Sequence, residues 1–289
     1  MAQPYCFVLM PFGRKKDASG ATIDFDAVYR DLIRPAIEAA DLEPIRADEE
    51  KVGGIIQKPM YERLLFCEYA VADLTTANAN VFYELGVRHA VRPYSTVTLA
   101  SSTTRLPFDM NHLSTLMYEL GANGALADVA PPRDALTRLM RDARDKTTDS
   151  PVFQLVEGLR PAPVDHAKTD VFRDQVKYSE DTKRQLRAAR AEGVAAIRRV
   201  EASQPSIADT EAGVVIDLFL SYRAVKEWPE MIALVKRMSP PLTATAMVRE
   251  QLAFALNRDG QGEEAERVLL DLLKKRGASS ETYGLLGRV

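Results

Sequence analysis

Cysteine, histidine and tryptophan are all scarce in this 289-residue chain, which has two, three and one of them respectively. Two cysteines cannot make a disulfide framework, and neither Cys6 nor Cys67 stands at metal-ligand spacing from another thiol or imidazole. Both lie in apolar surroundings and are read as buried free thiols. His89, His112 and His166 are scattered, so no metal site is expected. No apolar stretch approaches the roughly 20 residues needed to cross a bilayer. The N-terminus enters Tyr5–Met10 without the basic segment or cleavage pattern of a secretory leader. A cytoplasmic protein without membrane contact is the expectation. An excess of one charge is lacking too: 38 Lys and Arg face 41 Asp and Glu, for a net charge of -3. Nothing there marks nucleic acid as a partner. There is no Walker-type phosphate loop, and Gly53-Gly54 is an isolated pair.

What is present suffices for more than one core. Apolar residues make up 46% of the chain, and the length favours two domains or a domain with an extension. The apolar run Tyr5–Met10, stopped by Pro11 and Gly13, predicts a strand buried on both faces. The polar stretch from Arg14 to Thr22 reads as a loop. Val28, Leu32, Ile33, Ile37 and Ala40 have helical spacing over 26–40, and Pro35 within them predicts a kink or early stop. Short strands over 42–46, 69–74 and 95–100 alternate with helices over 55–66, 80–90 and 133–143. That alternation predicts a parallel sheet with helices on both faces, spanning residues 1–146. Ligands in such sheets sit beyond the carboxyl ends of the strands.

Past residue 147 the pattern changes. Pro151, Pro161 and Pro163 interrupt the chain, and a charged, helix-prone stretch follows from Asp170 to Ala202. Residues 147–207 are read as a connector containing one long solvated helix, with room for part of it to pack on the first domain. Residues 208–289 repeat with a period of 34: Leu218, Leu252 and Leu286 recur, as do Phe219, Ala253 and Gly287, Tyr222 with Leu256, and Val235 with Leu269. This is the period of tetratricopeptide repeats. Ala265 falls where the second helix needs a small residue, and Gly260 and Gly262 mark the turn before it. Trp228-Pro229 opens a repeat helix, its ring expected to pack within the repeat. The third repeat is read as broken off at Val289, without a polar cap.

The segment from Ala72 to Gly86 is the richest in chemistry. A buried strand ends at Asp73, Thr75, Asn78 and Asn80 form a polar loop and helix cap, and Glu84 follows just over one turn into the helix. An acid among Phe82, Tyr83 and Leu85 costs free energy unless it is paired or useful, and such a setting raises its pKa. The alternative is that Glu84 pairs with Arg88 four residues on, along a solvated face.

This segment resembles the Asp-Leu-Thr…Asn-x-Asn-Val-x-Tyr-Glu-Leu-Gly signature of TIR-like domains related to the nucleoside 2-deoxyribosyltransferases. Phe7–Gly13, ending in Met-Pro-Phe-Gly, resembles their first strand. Arg46-Ala47-Asp48-Glu49 resembles the acidic loop after their second, and Leu106-Pro107-Phe108-Asp109 with Tyr118 resembles a segment after their fourth. The order of α/β domain and helical repeats, with Glu281–Arg288, is similar to the TRAFs-binding region of apoptosis signal-regulating kinases.

The resemblance implies a flavodoxin-like parallel sheet followed by an all-α repeat region. It implies that Glu84 attacks or stabilises the anomeric carbon of a ribosyl group, with Asp73 orienting sugar hydroxyls or protonating the leaving base. Met10, Pro11, Phe12, Gly13, Thr75, Asn78, Asn80 and Asp109 are the implied substrate-binding residues, with Phe12 a stacking face. NAD or a related nucleotide is the implied substrate, with no separate cofactor, and self-association and a protein partner on the repeats are implied as well. The sequence departs from the deoxyribosyltransferases at the end of the first strand, where they often place a tyrosine hydroxyl that steadies the glutamate; Tyr29 and Tyr83 are the candidates to replace it. Two readings stay open at this level: glycosidic cleavage of a nucleotide, or a non-catalytic signalling scaffold.

Overall fold

All five residues of the first strand, β1 (Tyr5–Leu9), are buried, as its unbroken apolar run requires. The computed structural model describes residues 3–17, 20–46, 57–110, 113–121, 123–145, 147–161, 166–277 and 279–289. They belong to two compact units, residues 1–48 with 60–169, and residues 170–289 with 49–59.

In the first unit β1 leads into a hairpin of β2 (Arg14–Lys16) and β3 (Thr22–Asp24), antiparallel to each other. The loop expected at 14–22 is therefore two short strands. The Asp17 carboxylate accepts from the Ala21 N–H at 2.9 Å across the turn. Next come α1 (Phe25–Val28), one π-helical turn over Tyr29–Ile33, and α2 (Arg34–Ala39). The chain does not stop at Pro35: helical winding continues through it, with the π turn just before it as the local irregularity. The Arg34 N–H reaches back five residues to the Tyr29 carbonyl, and Pro35 then sits in the first turn of α2, where its missing N–H does little harm.

β4 (Glu43–Arg46), α3 (Gln57–Phe66), β5 (Tyr69–Asp73), α4 (Ala79–Val91), β6 (Thr96–Ser101), β7 (Thr115–Tyr118), α5 (Ala130–Asp142) and α6 (Pro151–Leu155) complete this unit. Five strands form one parallel sheet in the order β4-β1-β5-β6-β7. Cys6, Val8 and Met10 point to one face, in a cluster with Val28, Ile33, Ile37, Leu136 and Met140 from the α1–α2 segment and α5. Alternation along the strand sends Phe7 and Leu9 to the other face, and α4 packs against β1 and β5. Cys6 and Cys67 are buried free thiols.

The second unit is helical. α7 (His166–Glu192) ends at Gly193, whose φ of +99° few side chains tolerate, and α8 (Val194–Ala202) follows. The single helix expected here is thus two. It is not a solvated connector either, because Leu186, Ala189, Ala196 and Ile197 enter a core with Val215, Phe219, Tyr222 and Met231. Residues 149–155 belong with the first unit. The Asp149 carboxylate accepts from the Thr96 N–H at 2.8 Å, and Ser150 Oγ donates to the His89 carbonyl at 2.7 Å.

The helices that follow are α9 (Ala212–Ala224), α10 (Trp228–Val235), α11 (Pro240–Thr243), α12 (Ala246–Arg258), α13 (Gly262–Arg276) and α14 (Ser280–Leu286). The starts of α9, α12 and α14 are 34 residues apart, and so are those of α10 and α13. Leu218, Phe219, Tyr222, Ala253, Leu256, Ala265 and Leu269 are buried, whereas Leu252 and Leu286 of the leading column are partly buried and Gly287 is exposed. The Trp228 ring meets Phe254 edge-on at 5.6 Å; Phe254 lies on α12, one period on, so this ring contact joins consecutive repeats and is not internal to one as expected.

Candidate functional site

Because the sheet is parallel, the carboxyl ends of all five strands lie along one edge. The chain order of the strands across the sheet is second, first, third, fourth, fifth, so the direction of winding reverses between β1 and β5. That reversal opens a crevice in sheets of this kind. Asp73 ends β5 there, Met10–Gly13 follow β1, Arg46 ends β4, Ser101 ends β6 and Tyr118 ends β7.

Asp73 is fully buried and each of its carboxylate oxygens accepts a hydrogen bond, one from the Thr75 N–H at 3.0 Å and one from the Tyr118 hydroxyl at 2.9 Å. Thr75 Oγ1 lies 2.8 Å from the same tyrosine oxygen and accepts from the Ser101 N–H at 2.8 Å. Burial raises the Asp73 pKa, and these hydrogen bonds oppose the rise. The implied role of Asp73 in touching a sugar or protonating a base is thereby corrected, since a carboxylate enclosed on all sides ties three strand ends together instead. Thr75 is also buried and belongs to the same network.

The loop beyond this network is tightly wound. Thr76 and Ala77 both have positive φ, 68° and 51°, a conformation that costs a side-chain-bearing residue free energy. Asn78 then caps α4, its side chain accepting from the N–H groups of Asn80, at 2.9 Å, and Val81. Asn80 itself is exposed.

Glu84 is half-buried on α4, between the buried residues Val81 and Leu85. Loss of hydration alone pushes its carboxyl up to about 7. Among the described residues it has no hydrogen bond or ion pair. The pairing with Arg88 suggested by their spacing does not form. Arg88 is fully buried and donates to the carbonyls of Leu64, Cys67 and Glu68 at 2.8, 2.8 and 3.1 Å, which holds the end of α3 against α4. Tyr83 is exposed, and its hydroxyl lies 2.8 Å from that of Tyr61, so it does not steady Glu84.

The segment after β1 differs from expectation in detail. Met10 and Pro11 are buried, and the Met10 side chain lies in the core. The Phe12 ring is covered by the Arg46 guanidinium, 5.2 Å from its centroid, and the same guanidinium lies 4.4 Å from the centroid of Tyr29. Phe12 thus stacks on an arginine, where a base was expected. Gly13, at φ +65°, turns its N–H onto Asp26 Oδ1 at 3.2 Å. The side chain of Asp109 lies outside the described residues, as do Ala47, Asp48, Glu49 and the Gly53-Gly54 pair. Sequence spacing gave no sign of Asp26 or of the stack on Arg46. The groups come from β1, α1, the π turn and β4, and only the fold brings them together.

No group of metal-ligating side chains occurs among the described residues, and no described helix is long and apolar enough to cross a membrane. No curated protein and no solved structure matches the chain. The family of the MAP3K TRAFs-binding domain matches residues 81–289, from the first turn of α4 through all the helices of the second unit. Glu84 lies inside the matched segment, and Asp73 and Met10–Gly13 lie before it. With most of its length matched, the chain belongs to the MAP3K TRAFs-binding domain family.

Proposed function

We propose that the first unit is a TIR-like nucleotide domain in which Glu84 promotes cleavage of an N-glycosidic bond, in NAD or a related nucleotide. The observation that carries this reading is a half-buried carboxylate with no ion pair among the described residues and a pKa near 7. It lies on a helix packed over the two strands where the sheet reverses its winding. A flavodoxin-like strand order supports the same reading. Breaking a glycosidic bond develops oxocarbenium character, which a nearby carboxylate stabilises or captures. The Asp73–Tyr118–Thr75 network sets the entry to that helix, and self-association completes the site. The test is turnover of NAD and of simple nucleosides by the full chain and by Glu84→Gln, across protein concentrations that favour assembly. Turnover that depends on Glu84 supports the proposal; equal background from both proteins sinks it.

A second function belongs to the second unit, where helical hairpins of 34 residues are proposed to be tetratricopeptide-like and to dock a protein partner in signalling. Membership of a family named for TRAF binding supports this. TRAF proteins are the first partners to test, by pull-down with the purified full chain. If none is retained at micromolar concentration, this docking function is lost.

A further inference from the structure

Asp26 Oδ1 occupies a small receptacle for an anionic oxygen. Arg46 Nη2 donates to it at 2.8 Å and the Gly13 N–H at 3.2 Å. The guanidinium is held in place by the aromatic faces of Phe12 and Tyr29. The Arg46 side chain is only 8% exposed, whereas that of Asp26 is 52% exposed. The fixed partner is therefore the cation, and the acid is free to swing into solvent. Both donors lie at the carboxyl edge of the sheet, at the ends of the neighbouring strands β1 and β4. A planar guanidinium and a backbone N–H converging on one oxygen match a phosphate as well as a carboxylate.

We propose that Arg46 and the Gly13 N–H form the phosphate-reading site of the first unit, with Asp26 as an internal occupant that a phosphorylated ligand displaces. The inference rests on the nucleotide reading of the Glu84 site and narrows it: the ligand is a nucleotide, and an unphosphorylated nucleoside is a poor one. Asp26 also acts as a filter, because an anion must compete with a tethered carboxylate. A purely structural ion pair joining β4 to α1 gives neither property.

Calorimetry on the full chain with adenosine, adenosine 5′-monophosphate and NAD tests this. Wild type is expected to bind the two phosphorylated probes at least about tenfold more tightly than adenosine. Arg46→Gln removes most of that margin and leaves adenosine within about twofold. Asp26→Asn weakens the internal competitor, so monophosphate binding tightens by about three- to tenfold with adenosine unchanged. If Arg46→Gln does not fold, the Asp26→Asn arm decides alone. Equal loss for all three probes in Arg46→Gln, or no gain in Asp26→Asn, overturns the phosphate site and leaves the Glu84 reading intact. Failure of wild type to bind any of the three removes both.

Discussion

Tyr118 donates its phenolic hydrogen to Asp73 Oδ2 across 2.9 Å, with both residues buried at the carboxyl edge of the sheet. Forty-five positions separate them along the chain. The bond joins the ends of β5 and β7, and through Thr75 and Ser101 it includes β6. Removing the hydroxyl leaves a buried carboxylate oxygen short of a donor, so Tyr118→Phe is expected to cost about 1–3 kcal/mol. The lost hydrogen bond lets the Asp73 pKa rise further. A raised carboxyl pKa favours the folded state at low pH and loses that advantage as pH rises. The deficit of Tyr118→Phe should therefore be larger at pH 8 than at pH 5 in urea unfolding. A deficit that does not change with pH would show that Asp73 is not the group affected.

Glu84 makes the opposite prediction for stability. Its carboxyl titrates near 7 in the folded protein, against 4.5 for a solvated glutamate. Below about pH 4 it is protonated whether the chain is folded or not, and above 7 the folded state carries a poorly hydrated charge. Glu84→Gln should thus match wild type at pH 4 and exceed it at pH 8 by about 1–2 kcal/mol. A shift of this size converts to roughly 3 kcal/mol, discounted here because the side chain still meets water. Unfolding curves at the two pH values check it. A variant less stable than wild type at pH 8 would mean that Glu84 has a stabilising partner.

The same titration sets a pH profile for turnover. Stabilising an oxocarbenium-like state requires the ionised form, so the rate should climb as pH rises through about 7. That limb should disappear with the residual activity of Glu84→Gln. A rate flat from pH 5.5 to 8.5 would assign the essential ionisation elsewhere.

Arg88 predicts a structural loss. Its guanidinium serves three carbonyls in different directions from a fully buried position. Lysine presents one ammonium and cannot reach all three. Arg88→Lys is expected to cost about 2–4 kcal/mol and to lower the melting temperature of the first unit. A melting temperature within a degree of wild type would contradict the buried network.

In the second unit, Ala265 is fully buried within α13. Ala265→Leu would overfill that contact at a cost of about 1–3 kcal/mol. The loss should appear in thermal unfolding of the helical unit while the first unit keeps its transition. An unchanged helical transition would show slack packing around α13.

These elements differ in how plainly the sequence announces them. β1 is legible because burial on both faces leaves an unbroken apolar run. The repeats are legible because each helix recurs at a fixed offset, so buried positions fall into columns such as Tyr222 with Leu256. The hairpin β2–β3 is not, since Arg14–Lys16 is exposed throughout and carries no alternation of polarity. β7 has four residues at the sheet edge, too few for a pattern. Asp73 can be placed at a strand end from sequence, but its enclosure depends on Tyr118, and no local rule connects the two. Four-residue spacing suggested a surface pair of Glu84 and Arg88. That rule fails because the arginine has backbone carbonyls to reach inside the fold.

The π turn at Tyr29–Ile33 has a consequence for aim. Such a turn absorbs one extra residue without breaking the helix. Deleting a residue there would restore regular winding and leave the faces on either side in register, whereas deleting one from a regular turn would rotate everything before it by about 100° relative to α2. Asp26 lies before the turn, while Arg46 stays with the sheet. The wide turn is therefore the one place in this coil where a residue can be lost without swinging the acid away from that arginine, much as a slack link lets a chain be shortened without moving the wheels it joins.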